Sequence, residues 1–252
     1  MMNQSEILEP ASNGVEKIKS VAKLKTLKLR CNIPLYPRQV RQWRGAVIAA
    51  TGQENDLFHN HLDGKKDKVA YRYPLIQYRC ENKQAALWGM GEGVDTLHQW
   101  ILSMHRPIKL DQKEYTVRIS DLQVQETELV MLQELATYRI MDWLPLNPEN
   151  YERWRKLDNL IGRVKLLEEL LVGHIFAFLS AVNYQLPQRL EVKMLAINNM
   201  RKVWVHDHHR LAINGLFRTN IILPPYTALG RSVAFGFGVV QPIKKELNNN
   251  ES

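Results

Sequence analysis

The chain has 252 residues, 45% of them apolar, which is enough to bury a core in one or two domains and excludes a disordered or fibrous protein. Its formal charge is +8 and the excess is local: residues 15–45 hold nine basic side chains against one acid, Glu16, a clustering that favours a polyanionic partner. Two cysteines, Cys31 and Cys80, exclude a disulfide framework, and the start "MMNQSEILEPASNG" lacks a charged segment followed by an apolar one, so a reducing cytoplasm is expected.

Residues 1–14 read as a disordered tail. In "VAKLKTLKLRCNIPL" (21–35) lysine alternates with leucine or valine at period two, which predicts a strand with one wet, cationic face. "YPRQVRQWRGAVIAAT" (36–51) turns helical, with Pro37 suited to the first turn and Val40, Trp43, Val47 and Ile48 forming an apolar stripe. Strands are expected over 69–80 and 84–93, a helix over 94–104 and a strand over 115–124. The order strand, helix, strand, strand, helix, strand is the split βαβ, or ferredoxin-like, plan.

The second half starts the same way, with a strand over 136–146 and two helices between Asn150 and Val182. The most apolar stretch, 166–182, contains Glu168, Glu169 and His174 and is too short to cross a membrane, so it reads as a core helix. Two strands (189–205 and 209–223) pair as a hairpin, and "SVAFGFGVVQP" (232–242) closes the sheet without a second helix before it. The expected fold is α+β: two tandem ferredoxin-like (RRM-like) domains, 15–130 and 131–243, the second degenerate with a C-terminal glycine-rich loop, then a disordered tail from 244 to 252.

Three glycines, Gly230, Gly236 and Gly238, punctuate "ALGRSVAFGFG" (228–238) around Arg231 and Ser232. Glycine costs stability in a strand and stands where a positive φ, a bulge or a close backbone approach requires it. Backbone N–H groups without Cβ atoms in the way can lie against a phosphodiester, with Arg231 adding a forked donor. A bulged edge hairpin accounts for the same glycines.

This stretch, preceded by "LFRTNIILPPY", resembles the C-terminal glycine-rich loop of the CRISPR-associated endoribonucleases that cut precursor CRISPR RNA within its repeats. The pattern is glycine, apolar, glycine, a basic linker, then glycine, apolar, glycine; Ala228 stands where the first glycine would be. "RGAVIAA", "LFHNH", "YRYPLIQYR" and "WLPLNPENY" extend the likeness over most of the chain. The resemblance implies a metal-independent cut in which a ribose 2′-hydroxyl attacks the adjacent phosphate, leaving a 2′,3′-cyclic phosphate and a 5′-hydroxyl. CRISPR repeat RNA is then the expected partner, alone or with other CRISPR effector subunits, on a monomer or homodimer with no membrane association. No cofactor or metal is implied. A non-catalytic RNA-binding subunit of an effector complex is the alternative.

The implied chemistry moves protons near neutral pH, which suits imidazole. In the family the histidine follows the first helix of the first domain, where "DLFHNHL" offers His59 and His61 as candidates. Arg38 and Arg41 are expected on RNA phosphates, on one cationic side with Lys23, Lys25 and Lys28; Gly230, Arg231, Ser232, Gly236 and Gly238 complete the expected RNA site. "VHDHHR" (205–210) reads as a solvated hairpin tip and His174 as a satisfied core or interface histidine.

Overall fold

The computed structural model describes residues 22–51, 56–59, 73–104, 107–205 and 208–243. In the first domain, β1 (Ala22–Pro34) leads through a 3-10 turn (Pro37–Gln39) into α1 (Val40–Thr51) and a single turn α2 (Asp56–His59). Then come β2 (Ile76–Glu81), β3 (Gln84–Met90), α3 (Glu92–Ser103), a small hairpin of β4 (Ile108–Leu110) with β5 (Lys113–Tyr115), and β6 (Ile119–Leu129). Pro37 fixes the helical entry, and the Gln39 side chain accepts from the Tyr36 amide at 3.0 Å. The sheet order is β2-β3-β1-β6, antiparallel throughout, the arrangement a split βαβ plan requires.

The second domain repeats that order. β7 (Met131–Trp143), α4 (Pro148–Lys156), α5 (Leu160–Ala181), β8 (Val192–Val205), β9 (His208–Ile221) and β10 (Val239–Pro242) give a sheet β10-β7-β9-β8. Its helices start where asparagine caps them: Asn147 Oδ1 accepts from the Asn150 amide and Asn159 Oδ1 from the Gly162 amide, both at 2.7 Å. In place of a second helix before β10 stands only a 3-10 turn, Val233–Phe235. The closing strand is therefore shorter than the expected 232–242, because Ser232, Gly236 and Gly238 all adopt positive φ, which strands do not accept. None of the helices among the described residues is long and apolar enough to cross a membrane.

Strand β1 corrects the expectation of one wet, cationic face. The alternation slips phase at Thr26–Leu27, while the pairing with β3 and β6 runs unbroken through Arg30. Leu27, Leu29, Cys31 and Ile33 therefore share a face with Lys23 and Lys25, and they pack with Trp43 of α1 and Leu97 of α3. Lys28 and Arg30 point the other way, as does Leu24, which joins a core built with the second domain. Two of the lysines also face acids: Lys23 meets Glu126 at 3.1 Å and Lys28 meets Glu81 at 2.9 Å. The Glu126 hydrogen bond and charge raise the pKa of Lys23.

The first sheet is thus covered on both sides, by helices on one and by the second domain on the other. Trp88, Met90 and Leu129 of the first domain lie in one buried cluster with Phe178, Ile213 and Leu229 of the second. Burial pushes the thiol of Cys31 up to about 12, and both cysteines are free.

Candidate functional site at the domain junction

The glycine stretch lies on the seam between the domains, and each glycine there has its own reason. At Gly238 (φ +73°) a Cβ would sit 1.8 Å from the Leu229 carbonyl oxygen, so the loop can close on itself only with hydrogen in that place. The closure is held by Leu229 N–H donating to the Gly238 carbonyl at 2.8 Å and Gly238 N–H to the Asp142 carbonyl at 3.1 Å. Gly230 (φ +100°) lies against the Trp143 ring. Gly236 (φ +81°) faces the first domain, where a Cβ would come within 3.3 Å of Arg79 Cγ. Ala228 is not among the positive-φ residues; it pairs with Val239 in a β-bridge that a Cβ tolerates.

Below the loop a polar chain crosses the seam. Arg79 is 5% exposed and donates through Nη2 to Gln77 Oε1 and to the Tyr226 carbonyl, while its guanidinium lies 4.8 Å from the Trp88 ring centroid. Burial lowers its pKa to about 10. Gln77 Nε2 donates to the Tyr73 hydroxyl at 3.1 Å, and that hydroxyl donates to the Ala228 carbonyl at 2.7 Å. Three side chains of the first domain therefore hold residues 226–228 at the base of the glycine loop.

Above this chain runs a groove of about 760 Å³, lined from one domain by Lys28, Arg38 and Arg79 and from the other by Arg201, Trp204 and Phe235. Arg38 and Arg41 also line a smaller recess against Trp204, Phe235 and Phe237. These two arginines are thus brought to the glycine loop together with Gly236, whereas Lys23, Lys25, His59, Gly230, Arg231, Ser232 and Gly238 line neither cavity. Arg231 is exposed and anchored by its own N–H to the Leu144 carbonyl at 3.1 Å, and Ser232 beside it is left-handed (φ 55°).

His59 closes α2, with Phe58 buried ahead of it and the Phe58 carbonyl accepting from the Tyr78 hydroxyl at 3.1 Å. The His59 carbonyl accepts from Arg44 Nη2 at 2.7 Å, and the same guanidinium lies 5.7 Å from the ring centroid of Phe235 in the glycine loop. Arg44 is the residue that sequence reasoning passed over. Nothing local in the sequence of α1 links it to the His59 carbonyl 15 residues on or to the Phe235 ring in the other domain. His61 lies outside the described residues.

His174 is satisfied, as expected: its Nδ1 accepts from Trp143 Nε1 at 3.2 Å, and burial, with Arg231 nearby, lowers its pKa to about 4. At the β8–β9 tip, His209 packs edge-on to Trp204 with ring centroids 4.8 Å apart. No group of three or more His, Cys, Asp or Glu side chains among the described residues is placed to hold a metal ion.

Comparison with known proteins follows this architecture. A crystal structure of Cas6b superposes with a TM-score of 0.75 at 23% identity, covering 88% of this chain and 100% of the other. A crystal structure of the CRISPR RNA processing endoribonuclease Cas6b gives 0.63 at 21%, again over 88% and 100%. An uncharacterized protein of Methanocaldococcus jannaschii is 29% identical over 136 residues, 54% of this chain and 91% of its own length. Residues 22–128 match the Cas6b N-terminal domain and residues 130–243 the Cas6b C-terminal domain, so the chain belongs to the Cas6b family of Cas6-type CRISPR endoribonucleases.

Proposed function

We propose that this protein cuts CRISPR precursor RNA within its repeats by attack of a ribose 2′-hydroxyl on the adjacent phosphorus. The 2′-oxygen loses its proton to a base and bonds to phosphorus. The bond to the 5′-oxygen breaks, and that oxygen takes a proton from an acid, leaving a 2′,3′-cyclic phosphate and a 5′-hydroxyl. The nucleophile belongs to the RNA, so the protein supplies proton transfer and charge. His59 and His61 are the proton carriers in this reading, and Arg38 and Arg41 bind flanking phosphates. Arg231, exposed on the glycine loop, and the half-buried Ser232 beside it add to the grip, with residues 15–130 and 131–243 as the two working halves.

One observation carries the proposal: Arg44 ties the His59 carbonyl to the Phe235 ring, so the histidine turn of one domain sits one side chain away from the glycine loop of the other. Membership of the Cas6b family supports RNA processing as the task.

The test uses the purified protein, labelled repeat RNA and excess chelator. Cutting is expected to persist, to stop when the reacting 2′-hydroxyl is replaced by hydrogen, and to drop by roughly 100-fold or more in His59→Ala or His61→Ala, the size of a lost general acid or base. Tight binding without cutting would instead make the chain an RNA-binding subunit, and cutting that depends on added metal would overturn the mechanism.

A further inference from the structure

The β8–β9 hairpin has two unlike faces. Val203 and Val205 are buried with Ala212 against Phe237 of the glycine loop. The alternating residues on the other face are open: Met200 is 48% and Trp204 64% exposed, with Lys202 exposed between them. Trp204 and Met200, open on the same face as Lys202 while Val203 and Val205 are buried behind them, make a stripe of apolar and cationic groups rather than one stray ring.

This outer face joins two cavities. Trp204 lines the groove at the domain junction, while its cross-strand neighbour His209 lines a second cavity of about 710 Å³ on the second domain. That second cavity is walled by α4, α5 and the hairpin, and it carries Arg155, Arg163, Lys202 and Arg210 against a single acid, Glu152. Tyr151, 43% exposed, stands at its edge, and Arg163 lies 5.4 Å from the Trp154 ring centroid. Cations interleaved with open aromatic rings fit a single strand of nucleic acid, whose phosphates meet the cations while its bases stack without regard to sequence.

We propose that a single-stranded extension of the RNA leaves the junction groove over Trp204, crosses the outer face of the hairpin at Lys202 and His209, and ends in the second-domain cavity against Tyr151, Arg163 and Arg210. The proposal rests on the RNA-processing reading above. It adds a binding track, lined by residues other than His59, for unpaired RNA that extends beyond a base-paired repeat stem.

Binding is measured for a bare repeat hairpin and for the same hairpin carrying about six unpaired nucleotides at its 5′ or its 3′ end. The wild-type protein is expected to bind one of the extended RNAs more tightly than the bare hairpin. Tyr151→Ala removes that gain, weakening the extended RNA by roughly 5- to 100-fold, as expected for a lost stacking partner, and leaves the bare hairpin within two-fold. The double variant Lys202→Ala/Arg210→Ala flattens the salt dependence for the extended RNA alone, by about one to two units in the slope of log affinity against log salt. Equal affinity of all three RNAs for the wild type, or equal weakening of bare and extended RNA in Tyr151→Ala, overturns the track and leaves the processing reading standing. Failure of the wild type to bind any of the three overturns the processing reading itself.

Discussion

The hydroxyl of Tyr73 engages both backbone groups of Ala228, donating to the carbonyl at 2.7 Å and accepting from the amide at 3.3 Å across 155 residues of sequence. Both residues are buried, and desolvation pushes the phenol pKa up to about 12, so it stays protonated and able to donate. Tyr73→Phe strands an amide, a carbonyl and the Gln77 side chain in the domain junction. The expected loss is about 1–3 kcal/mol of unfolding free energy, read from urea denaturation. An unchanged midpoint would show that the contact is incidental.

Two glycine-to-alanine changes should move stability in opposite directions. Gly238→Ala places a methyl group on the Leu229 carbonyl at a positive φ and should cost at least ~2 kcal/mol. Gly173, exposed in α5 with nothing within 4 Å of its missing Cβ, should gain ~0.5–1 kcal/mol on the same change, because alanine is the better helix former. Thermal unfolding of the two variants at one pH decides both.

His174 makes stability depend on acidity in a defined window. Its folded pKa is near 4 and its unfolded value near 6.5, so between these the unfolded chain binds the extra proton. Stability from this group is complete above about pH 6.5 and is lost as the pH falls toward 4. His174→Gln, which keeps an acceptor for Trp143 but does not titrate, should lose less melting temperature than the wild type between pH 7 and pH 4.5. Parallel curves for the two proteins would remove His174 from the acid response.

Arg44 is a positioning residue in this reading, acting through the His59 backbone. Arg44→Ala should lower the single-turnover cleavage rate by roughly 100-fold, the scale of a misplaced catalytic group, with a far smaller change in RNA affinity. Lysine restores the charge without the planar fork, so Arg44→Lys should recover only part of the rate. Full recovery would mean that charge alone is required.

The strand-helix order of the first domain was legible because each element shows its period locally: Val40, Trp43 and Val47 on α1, and Val94, Leu97 and Trp100 on α3, are all buried. The face assignment of β1 was not, since a lysine-rich alternation that slips by one residue still looks regular, and only the partners on β3 and β6 reveal which side each lysine occupies. The β4–β5 hairpin was missed because its strands are three residues each, too short to show a period. In the candidate site, the glycine loop stood out by composition, and "FHNH" only through the resemblance to the CRISPR-associated endoribonucleases. Arg79 and Arg44 did not, because their roles come from a tyrosine carbonyl, a tryptophan ring and a phenylalanine ring contributed from elsewhere in the chain.

The cluster that mixes Leu24, Trp88, Met90 and Leu129 with Phe178, Ile213 and Leu229 makes the two halves poor candidates for independent life. Severing the chain near residue 130 would leave each fragment with an oily wound in place of its partner. Substitutions on the two sides of that seam are therefore expected to couple rather than add, a change in one half altering the cost of a change in the other.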